Sequence, residues 1–143
     1  MTDVEKILAY IKGNAVLTIC SAQGNVPWAA NCFYVFDAAR MQFLILTSLE
    51  TRHGAEIQEN CWVAGTVSSQ QTSVIKIRGL QYSAIARRLA GEEEEGARNL
   101  YYRKFPAARL HSAPIWSVAP YVLKLTDNTL GFGTKIVWTK PER

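Results

Sequence analysis

The chain contains few of the residues that bind metals or build disulfide frameworks. It has only two histidines, His53 and His111, and no two cysteines form a Cys-x-x-Cys pair. The three cysteines are odd in number, widely spaced and set in apolar, strand-like surroundings, which favours buried thiols. They are Cys20, Cys32 and Cys61. We therefore do not expect a metal site built from histidine and cysteine.

Long apolar runs are also missing. No run approaches the roughly 20 residues that a membrane-spanning helix needs, and the stretch 1–6 is too acidic and too poor in apolar residues for a secretion signal. We therefore expect a cytoplasmic protein without a membrane partner. The chain has 143 residues, of which 48% are hydrophobic and 20% charged, and this composition excludes a disordered chain and predicts a single domain over 1–143.

The charges are unevenly distributed along the chain. The formal net charge is +4, and Glu92–Glu95 holds four of the 12 acidic residues. The rest of the surface is therefore more basic than the total suggests, and such a surface attracts phosphates, nucleotides or nucleic acid. Solubility alone explains the charge equally well, and we do not expect nucleic acid to be a partner.

The first part of the chain predicts one helix followed by three strands. Thr2 and Glu5 have the spacing of a capping box, and apolar residues follow at helical intervals. Three apolar or β-branched segments come next, and their short connections predict an antiparallel meander. These segments are Val16–Ser21, Trp28–Phe36 and Met41–Thr47.

The second part predicts further strands and a late helix. Ser73–Leu89 is long for one strand, and Gly79 inside it indicates a bulge or a bend. Acidic residues in the first turn and basic residues in the last predict a helix over Gly91–Lys104. The other strand-like segments are Cys61–Val67, Trp116–Val118, Tyr121–Leu125 and Ile136–Thr139. Because a closed sheet has no exposed edges, we expect a mainly β fold, a small barrel of about six or seven strands.

A possible anion site lies between the third strand and a short helix. The apolar run Phe43–Leu46 is followed by hydroxyl and cationic residues, and the helix that comes next ends near Asn60. Free backbone amides, the positive end of the helix dipole and the side chains of Arg52 and His53 would together suit a phosphate. In the alternative interpretation, Thr51 simply caps the helix and the two cations are solvated.

The same segment, 43–60, resembles the flavin-phosphate segment of pyridoxamine 5′-phosphate oxidase and its relatives. In that superfamily a strand leads into an S/T-R-K turn and then into a helix that ends near Asn-Pro. Further segments are similar to the YhbP-type branch of the superfamily, so that the resemblance extends over nearly the whole chain. These segments are Cys32–Ala38, Val63–Val67, Ile77–Gly79, Ser112–Pro114 and Thr126–Gly133.

The resemblance implies an FMN-binding split barrel of six to seven largely antiparallel strands with two to three helices. It also implies a homodimer with each FMN at the interface between protomers. The phosphate donors carried over from the family are Thr47, Ser48, Thr51 and Arg52. The family's lysine after the arginine is His53 here, and a histidine is only partly charged near neutral pH.

Three further residues are candidates for contact with the flavin ring. Small residues around Ala30 would let a flat ring approach the strand, and Asn31 would bond to the flavin edge. Trp116 either stacks on the ring or packs in the core. The residues that bind pyridoxal phosphate in the oxidase are not recognisable, so the resemblance does not extend to that activity.

Several functions fit these residues and this resemblance. The first is an FMN-dependent oxidoreductase with an unknown small substrate or electron donor, in which no residue stands out as catalytic. The second is a non-catalytic binding module that holds haem, deazaflavin or a nucleotide on the same barrel. Haem would need His53 or His111 as its imidazole ligand. The third is a cofactor-free interaction protein.

Overall fold

The computed structural model describes residues 1–142, which form eight strands and three α-helices. Three short 3₁₀ turns, Val74–Lys76, Pro106–Leu110 and Asn128–Leu130, lie in the connections. The helices are α1 (Asp3–Lys12), α2 (Arg52–Glu59) and α3 (Gly91–Lys104). The strands are β1 (Val16–Gln23), β2 (Val26–Phe33), β3 (Val35–Asp37), β4 (Gln42–Leu46), β5 (Trp62–Ser68), β6 (Arg78–Arg88), β7 (Ile115–Asp127) and β8 (Lys135–Thr139).

The eight strands form one antiparallel sheet in the order β2-β1-β5-β6-β7-β4-β3, with β8 paired to β7. The two ends of this order, β2 and β3, follow each other in the chain, and β2 also contacts β4. The sheet therefore curves back on itself as a split barrel. This confirms the predicted fold class, although the described residues contain eight strands rather than six or seven.

The predicted strand Trp28–Phe36 is divided into β2 and β3 at Tyr34. The Tyr34 side chain is fully buried, and its hydroxyl donates a hydrogen bond to the carbonyl of Ile11 at the end of α1. Its amide donates to the carbonyl of Ala15, at 2.9 Å. Because both polar groups of this residue bond to the α1–β1 region, the chain leaves β2 here and turns into β3.

The two predicted strands at 116–118 and 121–125 join in the single strand β7. The register between β6 and β7 shifts at Ser83 and Ala84, so Tyr121 is the extra residue of a bulge beside Pro120. A bulge tolerates proline because the ladder hydrogen bond is already interrupted there. Of the bulge or bend predicted at Gly79, the bulge is wrong, since Gly79 pairs regularly with Ser68 and Thr126.

The predicted start of α1 and the predicted bounds of α3 are confirmed. Thr2 and Glu5 form a reciprocal capping box at α1, and α3 spans the predicted residues with acidic side chains in its first turn and basic ones in its last. The prediction of three buried thiols is wrong in part: Cys32 is buried, Cys20 is half-buried and Cys61, at the start of β5, is exposed.

One apolar core holds the elements that carry the candidate site. It lies between α1, α2 and the concave face of the sheet, and Ile57 joins α2 to it. A second cluster fixes α3 against the other end of the barrel: Leu44, Leu89, Ala97, Tyr101 and Ile115. The short helix α2 contacts β1 and β2, and its first residue, Arg52, lies over the ring of Trp28 on β2.

Candidate functional site

The connection from β4 to α2 is a tightly bonded corner. The carbonyl of Ser48 accepts hydrogen bonds from the amide of Thr51, at 3.2 Å, and from the Thr51 hydroxyl, at 2.7 Å. The same hydroxyl accepts the amide of Gly54, at 3.0 Å. A Cβ atom on Gly54 would overlap the Ser48 carbonyl, so only glycine lets helix and corner approach this closely.

The Thr51 hydroxyl is therefore occupied as the helix cap, as the alternative interpretation expected. The hydroxyl of Ser48 accepts the amide of Glu50, at 3.1 Å, and keeps its own proton for a ligand. The amides of Arg52 and His53, in the first turn of α2, donate no hydrogen bond within residues 1–142. Two amides, one hydroxyl and the positive end of the helix dipole thus lie together, which is a donor set that suits an anion.

The guanidinium of Arg52 is held against the sheet at this corner. Its Nε donates to Glu56 Oε2 at 3.0 Å, and its central carbon lies 4.1 Å from the centre of the Trp28 ring. Its two terminal nitrogens have no hydrogen-bond partner in the part of the chain that the structure describes. Arg52 is therefore an ordered cation, not a freely solvated one, and it retains donors for a ligand.

The carboxylate of Glu56 is only 5% exposed and accepts two hydrogen bonds. Besides Arg52, it accepts the hydroxyl of Ser21 on β1, at 2.7 Å. The hydrogen bonds from Ser21 and then from Arg52 lower the pKa of Glu56. The carboxylate therefore stays ionised near neutral pH and balances the charge of Arg52.

His53 faces a buried neighbourhood instead of acting as a second cation. Its Nε2 shares a hydrogen bond with the Thr47 hydroxyl and lies 3.8 Å from Cys32 Sγ. Burial lowers the pKa of His53, so the ring is neutral near neutral pH. Burial also raises the pKa of the Cys32 thiol to about 11, which leaves it protonated. The cationic role of the family's lysine is thus not reproduced by His53.

The two predicted ring contacts on β2 lie on opposite faces of the strand. Ala30 is half-buried and packs against the core on the face shared with Cys32 and Trp28. Asn31 is exposed on the other face, where its Oδ1 accepts the hydroxyl of Thr18 at 2.9 Å. Within one protomer, only Ala30 lies on the side of α2.

The structure places Trp116 in the core, where it cannot stack on a flavin ring as one of its two interpretations predicted. It is only 2% exposed, and its indole Nε1 donates to the carbonyl of Thr47 at 3.2 Å. The indole is therefore core packing that supports the corner, as its second interpretation proposed. Its strand β7 lies next to β4, at the register Ile45–Trp116, which brings the indole under the end of β4.

The site also contains three residues that sequence reasoning missed: Trp28, Ser21 and Glu56. Glu56 stands four residues after Arg52, a spacing that favours an ion pair on a helix and was available as a signal. Nothing local predicts Trp28 or Ser21, because β1 and β2 reach α2 only through the fold.

The other candidate ligand for haem lies away from this corner. His111 is exposed and follows the turn Pro106–Leu110. Among residues 1–142 there is no group of three or more histidine, cysteine, aspartate or glutamate side chains that could hold a metal. No α-helix in the described part is long and apolar enough to cross a membrane.

Comparisons with known proteins agree with this fold. The chain is 43% identical over 138 residues to the UPF0306 protein of Serratia proteamaculans, which covers 96% of both chains. It is 44% identical over 140 residues to the UPF0306 protein YhbP of Escherichia coli O157:H7, covering 98% of this chain and 95% of that protein. No family model matches the chain.

Solved structures show the same architecture at low identity. A haem binding protein from Mycobacterium smegmatis superposes with a TM-score of 0.83 and 16% identity, covering 97% of this chain and 58% of that one. A putative pyridoxamine 5′-phosphate oxidase from Listeria innocua has a TM-score of 0.66 and 17% identity, covering 83% and 94%. A FAD-binding protein from Mesorhizobium loti has a TM-score of 0.71 and 10% identity, covering 87% and 92%. Because its curated relatives are 43–44% identical to it over nearly the whole chain, this protein belongs to the UPF0306 (YhbP) family.

Proposed function

We propose that this protein binds FMN, with the phosphate at the corner between β4 and α2, and that it is an oxidoreductase acting on a small substrate. The donors present at the corner fit a phosphate: the Ser48 hydroxyl, the amides of Arg52 and His53, and the Arg52 guanidinium. FMN would supply the redox chemistry when bound, while the protein contributes binding and orientation.

The observation that carries this proposal is the ordered guanidinium of Arg52 beside the first turn of α2. An arginine whose terminal nitrogens are free, next to free helix amides, is suited to phosphate recognition. Trp28, which is partly exposed, and Ala30, which is half-buried, lie on the same face of β2 near this corner and would contribute apolar contacts to a planar group. The split-barrel neighbours are named for haem, for FAD and for pyridoxamine 5′-phosphate. These names support the binding of a cofactor by this fold, but they do not favour one cofactor over another.

A homodimer is part of the same proposal. The convex face of the sheet exposes large apolar side chains that a second copy would cover, among them Phe33, Trp62 and Ile85. In such a dimer, a partner surface near the corner would help to enclose a bound ring.

A cytoplasmic location also belongs to this proposal, and fractionation of cells that produce the protein tests it.

The test is flavin binding by the purified protein. We would record absorbance between roughly 300 and 700 nm and then titrate the protein with FMN and with riboflavin, which lacks the phosphate. We expect FMN to bind more tightly, and Arg52→Gln to remove this preference. Arg103→Gln, on the exposed side of α3, is the matched control and should bind FMN like the wild type.

The other functions give different results in the same experiment. A Soret band lost in His53→Ala or His111→Ala would assign haem to the barrel. Equal affinity for FMN and riboflavin, unaffected by Arg52→Gln, would contradict the proposal that the corner binds the phosphate. If the protein has no chromophore and binds no flavin, the remaining function is that of a cofactor-free interaction protein.

A further inference from the structure

The position of Arg52 depends on the buried carboxylate of Glu56. Glu56 lies one helical turn after Arg52 and is almost completely buried. One carboxylate oxygen accepts Arg52 Nε at 3.0 Å, and the other accepts the hydroxyl of Ser21 at 2.7 Å. The carboxylate therefore ties the helix residue Arg52 to strand β1.

We propose that Glu56 is a positioning residue of this site, which holds the Arg52 guanidinium over the Trp28 ring so that its terminal nitrogens stay free for a phosphate. This inference rests on the proposed FMN site. It assigns to Glu56 a role in selecting phosphorylated flavin over unphosphorylated flavin, although Glu56 itself carries the wrong charge to bind a phosphate.

The physical reason is the flexibility of arginine. A free arginine side chain loses rotamer entropy when it binds, and a side chain ordered beforehand loses less. An exposed pair four residues apart on a helix would order Arg52 only weakly. Here the carboxylate is buried and is fixed by Ser21, while the guanidinium also lies 4.1 Å above the Trp28 ring. The two contacts of the Arg52 side chain, with Glu56 and with Trp28, thus leave its terminal nitrogens unoccupied.

Two substitutions at Glu56 separate position from charge. Glu56→Gln retains the shape, and its amide can accept from Arg52 and donate to Ser21, whereas Glu56→Ala removes both bonds. We expect Glu56→Ala to weaken FMN binding about tenfold, because an Arg52 side chain that is no longer held loses rotamer freedom when it binds, and to leave riboflavin binding unchanged. Glu56→Gln should retain FMN affinity within about threefold, because the geometry is kept.

The matched controls lie on the same helix and strand. Glu59→Ala removes an exposed carboxylate from the last turn of α2 and should change neither affinity. Ser21→Ala keeps Glu56 but frees one of its oxygens, and we expect a smaller loss of FMN affinity. If Glu56→Ala does not fold, Ser21→Ala and Glu56→Gln still test whether Glu56 positions Arg52 for the phosphate. The measurement is then the ratio of FMN affinity to riboflavin affinity.

Two outcomes would overturn the inference. Unchanged FMN affinity in Glu56→Ala would show that Arg52 needs no positioning. Equal losses of FMN and riboflavin affinity, accompanied by a lower melting temperature, would show a merely structural role.

A second readout separates this inference from the proposed function. In the ¹H–¹⁵N spectrum of the ligand-free protein, the Arg52 Nε–H should exchange slowly with water, and Glu56→Ala should abolish that protection. Arg52→Lys assigns the signal. If the wild type shows no preference for FMN while the signal is protected, the phosphate site fails and the ordering of Arg52 stands. If the signal is unprotected in the wild type, the positioning role fails whether or not FMN binds.

Discussion

The indole of Trp116 donates a hydrogen bond of 3.2 Å to the carbonyl of Thr47, so a buried residue of β7 supports the first residue of the corner between β4 and α2. Thr47 in turn shares a hydrogen bond with His53. The corner is therefore braced from the core on one side and from α2 on the other. Substitutions in the core below this corner should therefore alter the geometry of the site.

Replacing Trp116 by phenylalanine should lower the free energy of unfolding by roughly 1–3 kcal/mol, because the buried Thr47 carbonyl loses its donor while most apolar packing remains. Urea denaturation measures this change. Trp138→Phe, a half-buried tryptophan of β8, is the control. A Trp116→Phe protein as stable as the wild type would show that the bond contributes nothing.

Gly54→Ala should destabilise the protein and weaken binding at the corner. The added methyl would overlap the Ser48 carbonyl, and overpacking of this kind costs about 1–3 kcal/mol. Gly96→Ala in α3 has open space around it, so it should stabilise by roughly 0.5–1 kcal/mol through helix propensity. Thermal melts of the two variants should therefore shift in opposite directions. A stabilised Gly54→Ala protein contradicts the close approach.

The stability of the protein should fall as the pH decreases below about 6.5, in part because of His53. Burial lowers the pKa of His53 in the folded state, so the unfolded chain binds a proton that the folded chain does not. Stability is therefore highest above the ordinary histidine pKa of 6.5 and decreases as the pH falls through it.

His53→Gln should weaken this dependence between pH 8 and pH 5, as urea midpoints at each pH will measure. His111→Gln, at an exposed position, is the matched control and should behave like the wild type. A pH profile of His53→Gln that coincides with the wild-type profile would mean that another group titrates.

Trp62→Glu should disrupt the proposed homodimer. Trp62 is 58% exposed on the convex face of β5, and a charge there would be buried without a partner in a dimer that uses this face. We expect the wild type to sediment as a dimer and Trp62→Glu as a monomer. Leu110→Glu, at an exposed leucine in the turn 106–110, should remain dimeric. A monomeric wild type at micromolar concentration excludes the dimer.

Much of the local structure was predictable because it depends on residues close together in the chain. The capping box of Thr2 and Glu5, the start of α2 after Thr51 and the charges of α3 each rest on contacts within about four residues. The anion-type corner was visible for the same reason, since the end of a strand and a helix N-terminus adjoin in sequence. The resemblance of 43–60 to a flavin-phosphate segment then supplied the candidate donors.

Which of these donors are free was decided only by the tertiary structure. His53 is neutral because it is buried, and the Arg52 guanidinium lies over the ring of Trp28 on a distant strand. Strand ends moved for the same kind of reason: Tyr34 breaks a strand because its hydroxyl bonds to α1.

The sequence by itself thus determined most of the elements, the antiparallel pattern and the place of the corner, through periodicity, caps and short connections. The fold decided burial, protonation and the partners of each side chain. These depend on which distant strands come together, as when β7 brings Trp116 beneath Thr47 and β1 brings Ser21 to Glu56. No local pattern specifies such contacts, because their free energy arises only once the core has formed.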